Sequence, residues 1–459
     1  MTSTPFSGLP LSAAQLSNLD ILGYTEMTPI QAESLPVILN GRDLIAQAKT
    51  GSGKTAAFGL GILHTLDASR FALQALVICP TRELADQVAN ELRRLARGEA
   101  NVKILTLAGG TPIRPQVDSL AHGIHIGVGT PGRIIDHLDR GSIDLSGLRT
   151  LVMDEADRMV DMGFFDEVAR IARACPAKRQ TLLFSATYPD SIRKDAARFL
   201  NNPVEIKVEA QHDASQIEEH FFEISPDGRN AAVAQLLNHY RPTSVLAFCN
   251  TKAQCRELAE DLQAQGFSAL ALHGDLEQRD RDEVLIQFAN HSCSVLVATD
   301  VAARGLDIKS LSAVINVDVT RDTEVHIHRI GRTGRNQEKG LALNLCAPHE
   351  TPAANLIEQY QGKPLRWSKL SALTATEGGP VRAPMVTLLI LGGKRDKLRP
   401  GDLLGALTGD GGLTKEQVGK INVTDQVSYV ALDRNQARAA HARLVNGQIK
   451  GKRFRMRFI

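Results

Sequence analysis

Residues 44–58 read LIAQAKTGSGKTAAF. A short apolar run, a glycine-rich turn and a helix-forming segment follow one another, the strand, loop and helix order of a phosphate-gripping loop. Ala48 stands where a first glycine is usual, followed by Lys49, Thr50, Gly51, Ser52, Gly53, Lys54 and Thr55. Glycines let backbone amides close around phosphates. Lys54 supplies a point charge for the β and γ phosphates, and Thr55 offers a hydroxyl to Mg²⁺. Such a loop needs a strand behind it and a helix ahead of it, so the stretch predicts an α/β fold.

The flanking sequence agrees. Apolar, β-branched runs alternate with helical stretches: ALVICP then TRELADQVANELRRLA, HIGVGTP then GRIIDHLD, then TLVMDEA and QTLLFSAT. Strands that are apolar throughout indicate a parallel sheet covered on both faces. The rhythm restarts with SVLAFCN, SALALHG, SVLVATD, AVINVDV and LALNLCA, so two tandem α/β domains are expected, over 1–207 and 217–366. The polar stretch 208–216 reads as a linker, as does 367–381, and a small module occupies 382–459. No stretch approaches the roughly 18 apolar residues of a membrane helix, and the start has no basic, then apolar, leader pattern, which points to the cytosol. Six scattered cysteines without ligand spacing read as reduced core residues rather than a zinc site. No heptad argues for a stable dimer, so a monomer is expected. The net charge of +2 conceals a split: residues 380–459 hold 15 Lys/Arg against 6 Asp/Glu, net +9, leaving −7 on the rest. That split suits a tail module that binds a polyanion, although a solvated basic surface has the same composition.

About a hundred residues after the phosphate loop comes LVMDEAD. An apolar strand that delivers Asp154 and Glu155 at its end provides one carboxylate for the Mg²⁺ shell, alongside Thr55, and a neighbour to polarise water against the γ phosphate. With these two pieces in place the chain resembles the DEAD-box RNA helicases. Eleven segments match in family order: GYTEMTPIQ, AKTGSGKT, PTRELA, the GG at 109–110, TPGR, DEAD, SAT, VLAFCNTK, LHGDLEQRDR, ATDVAARGLDI and HRIGRTGR.

The resemblance implies further roles. Tyr24 would lie against adenine and Gln31 would bond its edge, with Phe6 as the upstream aromatic and Met27 replacing a more usual proline. Asp307 would contact the ribose. Arg332 and Arg335 are implied as arginine fingers that join Lys54, Asp154 and Glu155 in catalysis once the domains close. Ser185, Thr187 and His328 are implied to couple hydrolysis to RNA, although SATYPD also reads as a helix cap. RNA contacts are implied for Pro80, Thr81, Arg82, Gly110, Thr130 and Arg133, and in the second domain for Thr251, Gln278, Arg281, Thr299 and Arg304. Small polar groups, glycines and single arginines hold phosphates and 2′-hydroxyls rather than base edges, so the core should read RNA without sequence preference. The implied activity is ATP-dependent, RNA-stimulated local strand separation, with ATP and Mg²⁺ as cofactors. A clamp that binds RNA without unwinding it, or a DNA helicase, would use many of the same motifs.

Target choice falls to the module 382–459, which reads strand MVTLLILGG, helix GDLLGALT, strand VGKINV, strand VSYVAL, helix RNQARAAHARLVN and strand RFRMRFI. This β-α-β-β-α-β order is that of the RNA-recognition motif. Its stacking strand has Val427 and Tyr429 where aromatics are usual, so affinity should come from charge: Lys394, Arg395, Lys397 and Lys452 in loops, and Arg453, Arg455 and Arg457 on one face of the last strand. Over the full chain the pattern resembles the bacterial branch of the family whose tail anchors it to a 23S ribosomal RNA hairpin during large-subunit assembly.

Overall fold

The computed structural model describes residues 4–48, 51–188, 198–208, 217–303, 311–334, 339–374, 378–445 and 447–459. The linker expected at 208–216 lies outside them apart from residue 208, as do residues 375–377 of the second. The first sheet comprises β1 (Leu44–Gln47), β2 (Ala75–Ile78), β3 (Ile104–Leu107), β4 (Ile126–Gly129), β5 (Thr150–Asp154), β6 (Gln180–Ser185) and β7 (Val204–Lys207). Its order is β3-β4-β2-β5-β6-β1-β7, with every pair parallel. Parallel pairing forces each connection to cross a face, and the helices that do so bury both faces. β2 shows the result: Ala75 and Val77 join the core that contains Phe58 and Leu92, while Leu76 and Ile78 join the one that contains Leu151 and Ile171.

The second sheet repeats the plan with β8 (Ile217–Glu223), β9 (Val245–Cys249), β10 (Ala269–Leu272), β11 (Val295–Thr299), β12 (Ala313–Asn316), β13 (Gly340–Cys346) and β14 (Trp367–Ser368). Its order is β10-β11-β9-β12-β13-β8-β14, again parallel throughout. All six cysteines are buried thiols.

The third sheet is antiparallel, with β15 (Met385–Ile390), β16 (Val418–Val423), β17 (Ser428–Asp433) and β18 (Met456–Phe458) in the order β16-β17-β15-β18. Helices Pro400–Thr408 and Ala437–Leu444 cover the face that carries Leu388, Ile390, Val430 and Leu432. The last strand is shorter than RFRMRFI suggests. β15 ends at Ile390, where Gly392 and Gly393 turn the chain away, and just beyond it Leu391 N bonds to Arg455 O at 2.9 Å. The first sheet forms one compact unit, and the second and third together form another.

Candidate active site

The phosphate loop leaves β1 and enters the helix Lys54–Thr65. Gly53 is left-handed (φ 95°), and a Cβ there would lie 2.5 Å from Gln31 Nε2, so only glycine fits on both counts. Gln31 Nε2 donates to Gly53 O at 3.0 Å, while its Oε1 accepts from Thr28 N at 2.9 Å in a capping box. Both ends of the amide that the resemblance aims at adenine are thus held by the chain itself. Lys54 is buried, and its Nζ donates to Ala48 O at 2.9 Å. Half-buried Tyr24 donates to Glu91 Oε1 at 2.6 Å, and burial together with Glu91 pushes its phenol pKa well up. Phe6 packs edge-on against it. Lys49 and Thr50 lie outside the described residues.

The end of β5 gathers three buried carboxylates, Asp154, Glu155 and Asp157. Burial pushes Asp154 up to about 6, with Lys54 pulling it down and Glu155 pushing it further up. Its buried Oδ1 has no hydrogen-bond partner among the described residues. A hard anionic oxygen left in this way fits a divalent cation, with the Thr55 hydroxyl in the first turn of the neighbouring helix as a companion ligand. Glu155 is left-handed (φ 54°, ψ 52°) at the start of the helix Ala156–Asp161, an uncommon conformation for a non-glycine residue. Its Oε2 accepts from Arg158 Nη1 at 2.7 Å, both side chains being buried.

Asp157 joins this strand end to the next. Its Oδ2 accepts from Ala186 N at 3.2 Å, Thr187 N at 3.0 Å and Thr187 Oγ1 at 3.2 Å, and its own amide donates to Ser185 Oγ at 3.1 Å. The two hydroxyls of SAT therefore bind the carboxylate segment, while residues 189–197, which a cap there would serve, lie outside the described residues. Asp157, the last residue of LVMDEAD, and Arg158 are absent from the expected site set; the signal for Asp157 is a third carboxylate at helical spacing from a strand end.

The loops implied for RNA lie at the carboxyl ends of strands, where open α/β sheets place their ligands. After β2, buried Pro80 precedes Thr81, whose Oγ1 caps the helix Arg82–Leu95 through Leu84 N at 3.2 Å. After β4, Thr130 precedes the helix Pro131–Asp139. Arg82 lies so close over Gly109 that a Cβ there would meet Nη2 at 2.9 Å, and Gly110 is left-handed (φ 81°). Gln116, absent from the expected set, ties these pieces together: Oε1 accepts from Arg133 Nη1 at 3.0 Å, and Nε2 donates to Ala108 O at 3.1 Å and Thr111 Oγ1 at 3.2 Å.

In the second domain Thr251 caps the helix Lys252–Ala264 through Gln254 N at 3.2 Å, and buried Thr299 ends β11. Gln278 opens the helix Gln278–Ala289 and bonds Asp282 at 2.8 Å; Arg281 Nη2 reaches Ala302 O at 3.1 Å. His328 is half-buried on the helix Thr323–Ile330, and Arg332 is buried two residues beyond its end. Arg304, Asp307 and Arg335 lie outside the described residues. The expected set left out Arg329, which is among the largest fully buried side chains. It holds Asp300 through Nε at 2.8 Å and Nη2 at 2.6 Å.

On the tail module Lys394, Arg395, Lys397, Lys452, Arg453, Arg455 and Arg457 are all exposed. The alternation expected of the last strand persists, with Phe454, Met456 and Phe458 packed on the module's core. The two basic loops touch: Lys450 Nζ donates to Lys397 O at 2.9 Å. Lys394 N and Arg395 N bond Thr424 O and Asp425 O at 2.9 and 3.0 Å, which fixes the first loop to the β16–β17 turn. The sheet's other face is covered. Thr387, Leu389 and Tyr429 are at most 4% exposed. Thr387 Oγ1 meets Ser292 Oγ at 2.7 Å, Met385 N bonds His291 O at 3.3 Å, and the Tyr429 phenol pKa is raised by burial and then by Glu283. The second α/β domain occupies the surface on which this fold ordinarily stacks bases.

A phosphate loop with a strand-end carboxylate pair on one parallel-sheet domain, a second such domain with a buried arginine helix, and a basic β-α-β-β-α-β module define a nucleic-acid-dependent ATPase of the helicase class. Residues 28–195 match the DEAD/DEAH box helicase family, 228–337 the helicase conserved C-terminal domain and 387–458 the DbpA RNA binding domain. The chain is 53% identical over 457 residues to the ATP-dependent RNA helicase DbpA of Escherichia coli K12, covering 99% of this chain and all of that one. It is 41% identical to the DEAD-box ATP-dependent RNA helicase CshA of Geobacillus kaustophilus, covering 84% and 83%. Saccharomyces cerevisiae Dbp5 bound to RNA and ADP BeF3 superposes with TM-score 0.73 at 28% identity, covering 80% of this chain and 96% of that one. Mss116p bound to ssRNA and AMP-PNP gives 0.72 at 25% identity, covering 80% of each chain. The chain belongs to the DEAD-box family of ATP-dependent RNA helicases, and it carries the DbpA type of RNA-binding domain.

Proposed function

We propose that this helicase, directed to a 23S ribosomal RNA hairpin by its C-terminal domain, locally separates RNA duplexes during large-subunit assembly, in the cytoplasm and as a monomer. The observation that carries the hydrolytic half is the Asp157 bridge, because it joins the strand-end carboxylates to SAT through four hydrogen bonds. Lys54 exchanges Ala48 O for the β and γ phosphates, while residues 48–53 wrap the phosphates with backbone amides. Thr55 and Asp154 hold Mg²⁺, which neutralises phosphate charge when bound. Glu155 orients the attacking water, and Arg332 and Arg335 stabilise the charge that develops on the γ phosphate. Tyr24 packs against adenine, Gln31 ties adenine recognition to the loop, and Asp307 holds the ribose. Ser185, Thr187 and His328 transmit hydrolysis to RNA.

The strand-end loops of both domains grip the RNA backbone, since capped helix N-termini and lone arginines suit phosphates. The tail's exposed cations supply target choice. ATPase stimulation by intact 23S RNA, a fragment panel, poly(A) and DNA tests the reading. A strong preference for one ribosomal fragment, no response to DNA and loss of strand separation without ATP are expected. Equal stimulation by poly(A) and every fragment would remove the ribosomal target, and stimulation without any strand separation would make the protein a clamp.

A further inference from the structure

Helix Thr323–Ile330 stops two residues short of Arg332, so the way this helix is seated decides where that guanidinium can go. Two of its polar side chains enter the domain interior, His326 at 0% exposure and Arg329 at 2%. Three residues apart, they share one face of the helix. Beyond its pairing with Asp300, Arg329 Nη1 donates to Asn316 Oδ1 at 3.2 Å. Asn316 Nδ2 donates to Asn344 Oδ1 at 2.7 Å, and β12 and β13 place these two asparagines directly opposite in register. Asn344 Nδ2 donates to Glu219 Oε1 at 3.2 Å, and the same oxygen lies 2.7 Å from His326 Nε2. Gln361 Nε2 holds the other oxygen at 3.0 Å. The chain of bonds leaves the helix at Arg329, crosses the three strands β12, β13 and β8 and returns to it at His326.

Burying a carboxylate and two amides inside a parallel sheet is costly unless each is bonded, and apolar side chains would fill the same space without that demand. What a closed polar circuit adds is geometry. An apolar contact tolerates sliding, whereas directional bonds at two points on one face fix both the rotation and the height of a helix. Glu219, Asn344 and Gln361 lie in none of the eleven segments that carry the family resemblance.

We propose that Glu219, acting through His326 and through Asn344 and Asn316, is a positioning residue that seats helix Thr323–Ile330 so that Arg332 meets the γ phosphate. The inference rests on the finger reading of Arg332 above. It is tested on the full chain at saturating RNA, with ATP and RNA affinities measured beside kcat. Glu219→Ala and Asn344→Ala should each lower kcat about tenfold, a small misplacement far from the chemistry being able to cost on the order of 10²-fold. ATP and RNA affinities should stay within about twofold, and the double variant should be no worse than the poorer single one, because one circuit seats one helix. Glu219→Gln keeps an oxygen for His326 and Asn344 and should recover most of the rate.

The deciding arm repeats Glu219→Ala on an Arg332→Ala background. Once the finger is gone its seating no longer matters, so the further loss should shrink to about twofold or less. An undiminished loss there would overturn the positioning role and leave Arg332 as a finger. Normal kcat in Arg332→Ala alone would overturn the finger reading, and this inference with it. If Glu219→Ala does not fold, the same cycle with Asn344→Ala decides.

Discussion

Two sheet surfaces in this chain are proposed to serve RNA, and they are built in opposite ways. At the carboxyl edge of the first sheet, the carboxylates, SAT and the phosphate loop belong to strand ends or to the first turn after them, and groups there are tied to their neighbours: Asp157 to SAT, Gln116 to Arg133, Gln31 to Gly53. On the tail module, the face that its fold would offer to bases is buried under the second α/β domain, and the exposed chemistry is a rim of cations on loops and on the edge strand β18. A strand-end site is short-range, so a few consecutive residues specify it. The use of a sheet face depends on what covers it, which no local stretch can state.

If the strand-end wiring serves catalysis, breaking it should cost most. Glu155→Gln keeps size and bonding while removing charge, and turnover should fall by about two or more orders of magnitude with ATP and RNA binding nearly intact. Steady-state ATPase near normal would take Glu155 out of the reaction. Asp157→Asn should act one step later. It weakens bonds to a charged acceptor, each worth about 1.5–3 kcal/mol, so the duplex separated per ATP hydrolysed should drop about tenfold while ATP binding holds. Equal losses in hydrolysis and separation would make Asp157 a structural brace instead.

Much of the first surface was legible in the sequence, and the reason is physical. LIAQAKTGSGKT must be strand, loop and helix for its glycines to serve a purpose, and LVMDEAD must be a strand that ends in carboxylates. The alternation RFRMRF likewise gave the facing of Phe454, Met456 and Phe458, although the ladder itself shrank to Met456–Phe458 because Gly392 and Gly393 end its partner strand. What stayed hidden was long-range. Arg329 and Asn316 meet across strand crossings, Glu219 and His326 are 107 residues apart, and nothing in VSYVAL says that Ser292 and Glu283 lie near its sheet.

The tail's rim should respond more modestly, and through salt. Changing Arg453, Arg455 and Arg457 together to Gln should shallow the slope of log affinity against log salt by about 2, at roughly 0.7 per single-strand phosphate contact. Stimulation by the specific RNA should fall, while ATPase at saturating non-specific RNA holds. An unchanged slope in a folded triple variant would assign the strand to edge protection and move the anchor to the loops around Lys394, Arg395, Lys397 and Lys452.

The smallest effect is expected where an RNA-recognition fold would ordinarily show one of its larger ones. Tyr429 is cross-strand from Leu389, which in turn faces Arg457 on β18, so the three form a row across the outer face. Only the arginine end of that row is exposed; Tyr429 is 4% exposed and its hydroxyl lies in the field of Glu283, Arg279 and Asp282. Tyr429→Leu keeps apolar volume and removes the ring plane. A working stack is worth about 1–3 kcal/mol per base, which is about 5- to 150-fold in affinity. With the face occupied, RNA affinity of the variant should change by less than about threefold, and the loss should not grow with the number of unpaired bases in the ligand. A larger loss that scales with unpaired bases would mean that the module leaves the second domain to bind RNA, and would make its two faces alternative rather than divided in their roles.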